Sequence, residues 1–182
     1  MRSVIFLFHL LLAGCAALQE QPDVPLVGDA FALAGRVSVK YAAEAASGKL
    51  AWQHDAAGDD MLISTPLGQG IARIVRRDGA VTLTTSENKA FRASDAESLT
   101  QQVLGWRLPL TGLPDWVRGR VSPGSPAETR RDATGLLTEL RQAGWLVEFL
   151  DYRSGGTLPS RLRLSREDLE IRLAIDSWQA AP

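Results

Sequence analysis

A chain of 182 residues suits a single domain, and 45% apolar with 23% charged residues is an ordinary composition for a folded soluble body. Its formal net charge of −1, with mixed signs, argues against a general nucleic-acid binder, which carries a basic excess. No apolar run reaches the roughly eighteen residues of a transmembrane helix, so no helix of the mature chain is expected to cross a membrane.

The chain opens with Arg2 and the apolar stretch "VIFLFHLLLAG", a positive n-region and a core of signal-peptide length, which makes residues 1–14 a signal peptide. The only cysteine, Cys15, follows directly in "LLAGC". This resembles the bacterial lipobox, in which the signal is removed and the cysteine becomes the first residue, carrying lipid. A lone cysteine forms no intramolecular disulfide, and lipidation accounts for both its position and its solitude. Each buried methylene contributes roughly 0.8 kcal/mol to membrane attachment, and more than one chain makes it durable. Ala16 and Ala17 stand where enteric bacteria use aspartate to retain a lipoprotein in the inner membrane, so the expected destination is the outer membrane. Residues 15–29 then form a lipidated tether. "AALQEQPDVPLVGD" has two prolines and no periodicity, and fully extended it reaches at most about 50 Å.

Residues 30–182 form the body, where period two dominates. Phe31, Leu33, Val37, Val39 and Tyr41 alternate with small or polar residues, and Leu169, Ile171, Leu173 and Ile175 alternate with Glu170, Arg172, Ala174 and Asp176. One wet face and one apolar face favour antiparallel pairing. Strands are expected near 31–41, 48–54, 60–65, 70–77, 80–86 and 89–93, then 145–153, 159–165 and 168–176. Between the two sets, Ser94 and Glu97 have capping-box spacing, and Ala96, Leu99, Val103 and Leu104 share a helical face. This predicts a helix near 95–104, ended by Gly105. Pro114 suits the first position of a short helix, with Leu113, Trp116 and Val117 on one side. Residues 127–143 read equally as a helix, by propensity, or as a hairpin turning at Gly135. The outline is mainly β: one long antiparallel sheet, interrupted by short amphipathic helices that cover its apolar face. Periodicity alone leaves open whether that arrangement is a packed core or a container.

The turn "TPLGQG" at 65–70 breaks a pattern. Proline and glycine suit it, but leucine at the tip of a surface turn should face water. Chemistry is hard to place elsewhere. His54 is the body's only histidine, expected as an exposed strand-end residue before "DAAGDD". No His/Cys cluster has zinc spacing, no G-x-S-x-G accompanies His54, and "GQG" fits no phosphate loop. No catalytic residue, metal or cofactor is therefore assigned.

Taken in order, "LLAGC", "FALAGRVSV", "GKLAWQH", "MLISTPLGQGIARI", "LGWRLPLTGLPDWVRGR", "GWLVEFLDY" and "LPSRLRLSREDLEIRLAIDSW" resemble the outer-membrane lipoprotein acceptor family LolB over nearly the whole chain after the tether. The resemblance implies an open antiparallel half-barrel enclosing an apolar cavity, with helices as a lid, and makes 127–143 strand. It implies a monomer that takes triacylated lipoproteins from a soluble, LolA-like periplasmic carrier and sets their acyl chains in the inner leaflet of the outer membrane, without ATP. It places an exposed apolar residue on the "PLG" turn, so Leu67 is the candidate for membrane contact. Trp52, Trp106, Trp116 and Trp145, with Leu99 and Val103, are candidate cavity-lining residues, although each is also a plausible core residue. The rival readings are a lipid-anchored, lipocalin-like carrier of a small apolar ligand, a structural adaptor in envelope assembly with a packed core, and a hydrolase using His54.

Overall fold

The computed structural model describes Leu26 and residues 28–181. The signal peptide, Cys15 and most of the tether lie outside the described residues. Eleven strands and two short helices follow in the order β1 Phe31–Tyr41, β2 Glu44–Asp55, β3 Gly58–Ser64, β4 Gly70–Arg77, β5 Ala80–Thr85, β6 Ala90–Ala93, α1 Ala96–Leu104, α2 Leu113–Trp116, β7 Ala127–Arg131, β8 Leu137–Gln142, β9 Trp145–Tyr152, β10 Pro159–Arg166 and β11 Leu169–Gln179. All the strands lie in one antiparallel sheet, ordered β6-β5-β4-β3-β2-β1-β11-β10-β9-β8-β7. Two meanders meet at the β1–β11 pair, and β6 and β7 are free edges. The chain leaves one edge at β6 and re-enters at the other as β7, so the segment carrying α1 and α2 passes from edge to edge.

The alternation sorts the faces. Phe31, Leu33, Val37 and Val39 of β1, Leu162 and Leu164 of β10, and Leu169, Ile171, Leu173 and Ile175 of β11 are buried in one cluster. That cluster takes in Leu99 from α1, Leu113 and Trp116 from α2, and Leu108, Leu110 and Val117 beside it. The other face carries cross-strand ion pairs such as Arg163–Glu148 and Arg161–Asp151, which contribute little where exposed. Sheet, cover and cluster all lie within residues 26–181, so among the described residues this span carries the whole packed body, with Leu26 against the cluster. At Gly35 the β1–β11 register slips, and an added Cβ would lie 2.2 Å from the carbonyl oxygen of Ala174.

Residues 127–143, open between helix and hairpin by sequence pattern, are two strands, as the resemblance implies, and several other expectations are corrected. The Asp132 carboxylate accepts from the Thr134 and Leu136 amides, and Gly135 takes a left-handed φ of 88°. This local turn, together with burial of Leu137 and Leu140, outweighs the weak helix propensity. The α1 cap is Asp95, whose carboxylate accepts from the Glu97 and Ser98 amides, rather than Ser94, while Glu97 faces Arg166 at 3.5 Å. Pro114 takes the second helical position, because α2 begins at Leu113. β2 starts at Glu44, four residues ahead of the expected strand, because its small residues extend the pairing with β1. Tyr41, read on the apolar face, is exposed.

His54 is not exposed. Its side chain is 14% accessible, and its Nδ1 lies 2.8 Å from Asp59, whose carboxylate is fully buried. A carboxylate only accepts, so His54 Nδ1 carries the proton. Asp59 also accepts from Trp52 Nε1 at 2.9 Å and Arg76 Nε at 2.6 Å. Both Asp59 oxygens are thereby engaged, one by Trp52 and His54 and the other by Arg76.

Burial pushes the Asp59 carboxyl up, but the hydrogen bond from His54 and the charge of Arg76 outweigh it and hold the group below its ordinary value of 3.8. A depressed folded-state value stabilises the fold above the unfolded-state value, and that stability is lost as pH falls through the folded one. Denaturation midpoints should therefore hold level from about pH 7 to 5 and drop below about pH 4. Asp59→Asn should cost about 2–4 kcal/mol at pH 7 by leaving Arg76 and His54 without their carboxylate, and should flatten the acid limb. Denaturant titrations across that pH range check both.

Candidate functional site

Leu67 stands on a well-made pedestal. The Gly68 amide donates to the Thr65 carbonyl at 2.9 Å, the Thr65 amide to the Gln69 carbonyl at 2.8 Å, and the Gln69 amide to Thr65 Oγ1 at 3.1 Å. Pro66 presets its own φ, and Gly68 takes a left-handed φ of 89° that other residues resist. With the backbone closed on itself, the leucine side chain points away from the body and is 98% exposed. Leu62 of β3 and Ile71 of β4, also exposed, flank the turn.

The cover is tied down by a few polar contacts. Thr100 Oγ1 donates to the Ala96 carbonyl and accepts from the Leu108 amide at 2.9 Å, linking α1 to the segment after it. The Trp116 ring of α2 lies 6.4 Å from that of Trp145 on β9, and its Nε1 donates to Gln142 Oε1 at 2.8 Å. Gln142, buried on β8, takes a second donor, the Ser122 amide, at 3.0 Å, and its Nε2 donates to the carbonyls of Ser122 and Ser125 at 2.7 and 3.0 Å. One side-chain amide thus has every hydrogen-bonding site filled and joins α2, the chain after it and the sheet. Gly112 is needed here, since an added Cβ would lie 2.4 Å from the Trp116 ring.

Of the residues expected to line a cavity, Trp52, Leu99, Trp116 and Trp145 are buried in the single cluster, and Val103 and Trp106 pack partly buried against it. Trp52 meets Phe31 edge-on at 4.9 Å, and Trp178 meets the same ring at 5.4 Å. Leu67 belongs to neither group and sits apart at the β3–β4 turn.

The residues that tie the cover were not anticipated from the sequence. Arg118 is buried; its Nε donates to the Pro114 carbonyl, its guanidinium lies 5.6 Å over the Phe31 ring, and it reaches Asp29 at 3.1 Å. Arg120 reaches Asp29 at 2.9 Å and Asp115 at 2.7 Å. Hydrogen bonds from Arg120 and Arg118 hold the Asp29 carboxyl below the usual carboxylate range. The root of the tether is thereby joined to the end of α2. The arginines of "WVRGR" were the only hint, as two cations beside an apolar turn.

The profile of the family described as "Outer membrane lipoprotein LolB" matches residues 29–178. The chain is 40% identical to the outer-membrane lipoprotein LolB of Thiobacillus denitrificans, over 94% of this chain and 93% of that protein. It is 38% identical to that of Nitrosomonas europaea, over 98% and 92%, and 37% identical to that of Chromobacterium violaceum, over 98% of each. In structure it is similar to a LolA superfamily protein of Nitrosomonas europaea, with a TM-score of 0.51 at 8% identity, over 88% of this chain and 89% of that one. At that identity the likeness concerns the fold alone. The profile and the relatives together make this chain a member of the LolB family of outer-membrane lipoproteins.

Proposed function

We propose that the protein accepts triacylated lipoproteins from a soluble, LolA-like periplasmic carrier and places their acyl chains in the inner leaflet of the outer membrane. It does so as a monomer, without ATP and without covalent chemistry. Residues 1–14 are removed as a signal, Cys15 carries the lipid, and residues 15–29 tether the body within reach of the bilayer. Carrying acyl chains through water would expose dozens of methylenes at roughly 0.8 kcal/mol each. An interior lined by Trp52, Leu99, Trp116 and Trp145, with Val103 and Trp106 at its margin, shelters them once the cover moves. Passage from a weaker apolar host to a stronger one, and then to a bilayer, runs downhill.

The observation that carries this reading is Leu67, an isolated leucine held 98% exposed by a hydrogen-bonded turn. Folding gains nothing from it there. Inserting one leucine in a bilayer is worth only about 1.5–3 kcal/mol. That is too little to anchor a lipidated protein, but enough to bias a brief contact toward release. A lipocalin-like carrier would need a closed cup, and this sheet has two free edges.

The test is a two-protein transfer in which the carrier is loaded with a lipoprotein, this protein is added with liposomes, and cargo is followed between fractions. Leu67→Glu should keep its melting temperature and still draw cargo from the carrier, yet leave it undelivered. Normal delivery by that variant overturns the role of Leu67. Gly112→Ala should drive Trp116 from its site, cost about 1–3 kcal/mol through the clash, and red-shift tryptophan emission. Unchanged emission and stability would show that the cover tolerates a side chain there.

A further inference from the structure

Trp145 Nε1 is a buried donor with no hydrogen-bond partner among the described residues. Such a group costs the desolvation of its N–H without return, and in native structures it calls for an explanation. The other buried indoles that meet an acceptor are satisfied: Trp52 on Asp59, Trp116 on Gln142, and Trp178 on the Pro159 carbonyl. The residue paired with Trp145 across the β8–β9 hairpin is Gln142, but its oxygen already holds two donors, so it has no room for a third. Phenylalanine would fill much of the same apolar space without the stranded N–H.

Trp145 also has the placement of a site. Its ring lies beside Trp116 of the cover. The residue also lines a groove of about 580 Å³ at the end of β7–β10, together with Gln142, Arg141, Arg166, Glu128 and Glu167. An apolar interior thus borders a polar mouth at this residue. A triacylated cysteine has the same polarity profile, with long chains, then ester and amide carbonyls, then peptide.

We infer that Trp145 Nε1 is the hydrogen-bond donor for an acyl carbonyl of the cargo's lipidated cysteine, made available when Trp116 and the cover swing away. This rests on the acceptor reading above and adds to it a fixed point. The chains bind by area alone and can slide, whereas one directional bond at the boundary sets how deep they enter. Among the described residues the donor has no acceptor, and an acyl carbonyl would supply one.

The experiment uses the body, residues 26–181, with two probes: a synthetic triacylated cysteinyl peptide, and its analogue with both glyceryl esters replaced by ethers, the N-acyl amide being kept. The Trp145 indole N–H resonance, identified by its absence in Trp145→Phe, is followed by 15N-correlated NMR. It should move downfield on saturation with the triacylated peptide. The same movement with the diether assigns the acceptor to the amide carbonyl, and its loss assigns it to an ester. Trp145→Phe should melt no lower than the parent and bind the triacylated peptide about tenfold more weakly, the scale of one buried hydrogen bond. Saturable binding with no movement of that resonance by either probe overturns the inference and leaves the acceptor reading standing. No saturable binding of either probe overturns both. Should the phenylalanine variant fail to accumulate, Trp145→Tyr supplies the assignment, and the NMR result decides alone.

Discussion

An antiparallel sheet of eleven strands that does not close must bury its apolar face against something that is not sheet. Everything particular to this molecule follows from that requirement. The covering segment is the stretch between the two free edges, β6 and β7, and it is too short in helix to stand alone: α1 has nine residues and α2 has four. Its stability comes from Leu99, Leu113, Trp116 and Val117 pressed into the sheet. A cover of this kind is held by the same apolar surface that its departure would expose. Acyl chains arriving on that surface would replace the lost contacts in kind, so opening is costly in an empty protein and far less so in a loaded one.

The polar ties are arranged to register the cover rather than lock it. Gln142 fixes Trp116 and the chain at Ser122 through one saturated amide. Asp29, Arg118, Arg120 and Asp115 join the tether root to the end of α2. The Asp29 carboxylate is largely exposed, and ion pairs there are screened by salt and contribute little to stability. By contrast, the Asp59 cluster draws its groups from strands β2, β3 and β4, with its carboxylate wholly buried. The wholly buried carboxylate thus belongs to the sheet, and the largely exposed one to the root of the tether. Asp59 and Arg76 pair at the open end of the β3–β4 hairpin, and Leu67 sits on the turn at its opposite end.

Much of the fold was legible because a sheet with one wet face writes itself into sequence as alternation. Leu169 to Ile175 named β11, and Phe31 to Val39 named β1, almost to the residue. What pattern left open has a physical cause. β7, "AETRR", is exposed along its whole length, so no alternation marked it, and the turn at Gly135 and the helix formers beside it left 127–143 balanced between hairpin and helix. Leu67 was legible as a leucine where turn chemistry wants none. Gln142, Asp59, Arg118 and Asp29 were not, because a polar tie between residues 26 or 89 positions apart has no period. Such a tie is visible only when the chain has been folded.

Two side chains stand out among the described residues. Leu67 is apolar and almost wholly in water, and Trp145 carries a buried donor with no acceptor among the described residues. Each is held there by neighbours that are themselves satisfied: the hydrogen bonds of the 65–69 turn for the leucine, the full complement of Gln142 for the indole. Neither is a loose end of packing that a small shift would cure. A violation maintained by well-ordered surroundings is the usual mark of a surface awaiting its partner, and the two partners are complementary in kind. The leucine lacks an apolar medium and the indole lacks an acceptor. A lipidated cysteine on its way into a bilayer presents carbonyls at the head of its chains, and the bilayer it enters presents hydrocarbon. The two defects, placed at different parts of one rigid sheet, are those that the cargo and its destination would each repair.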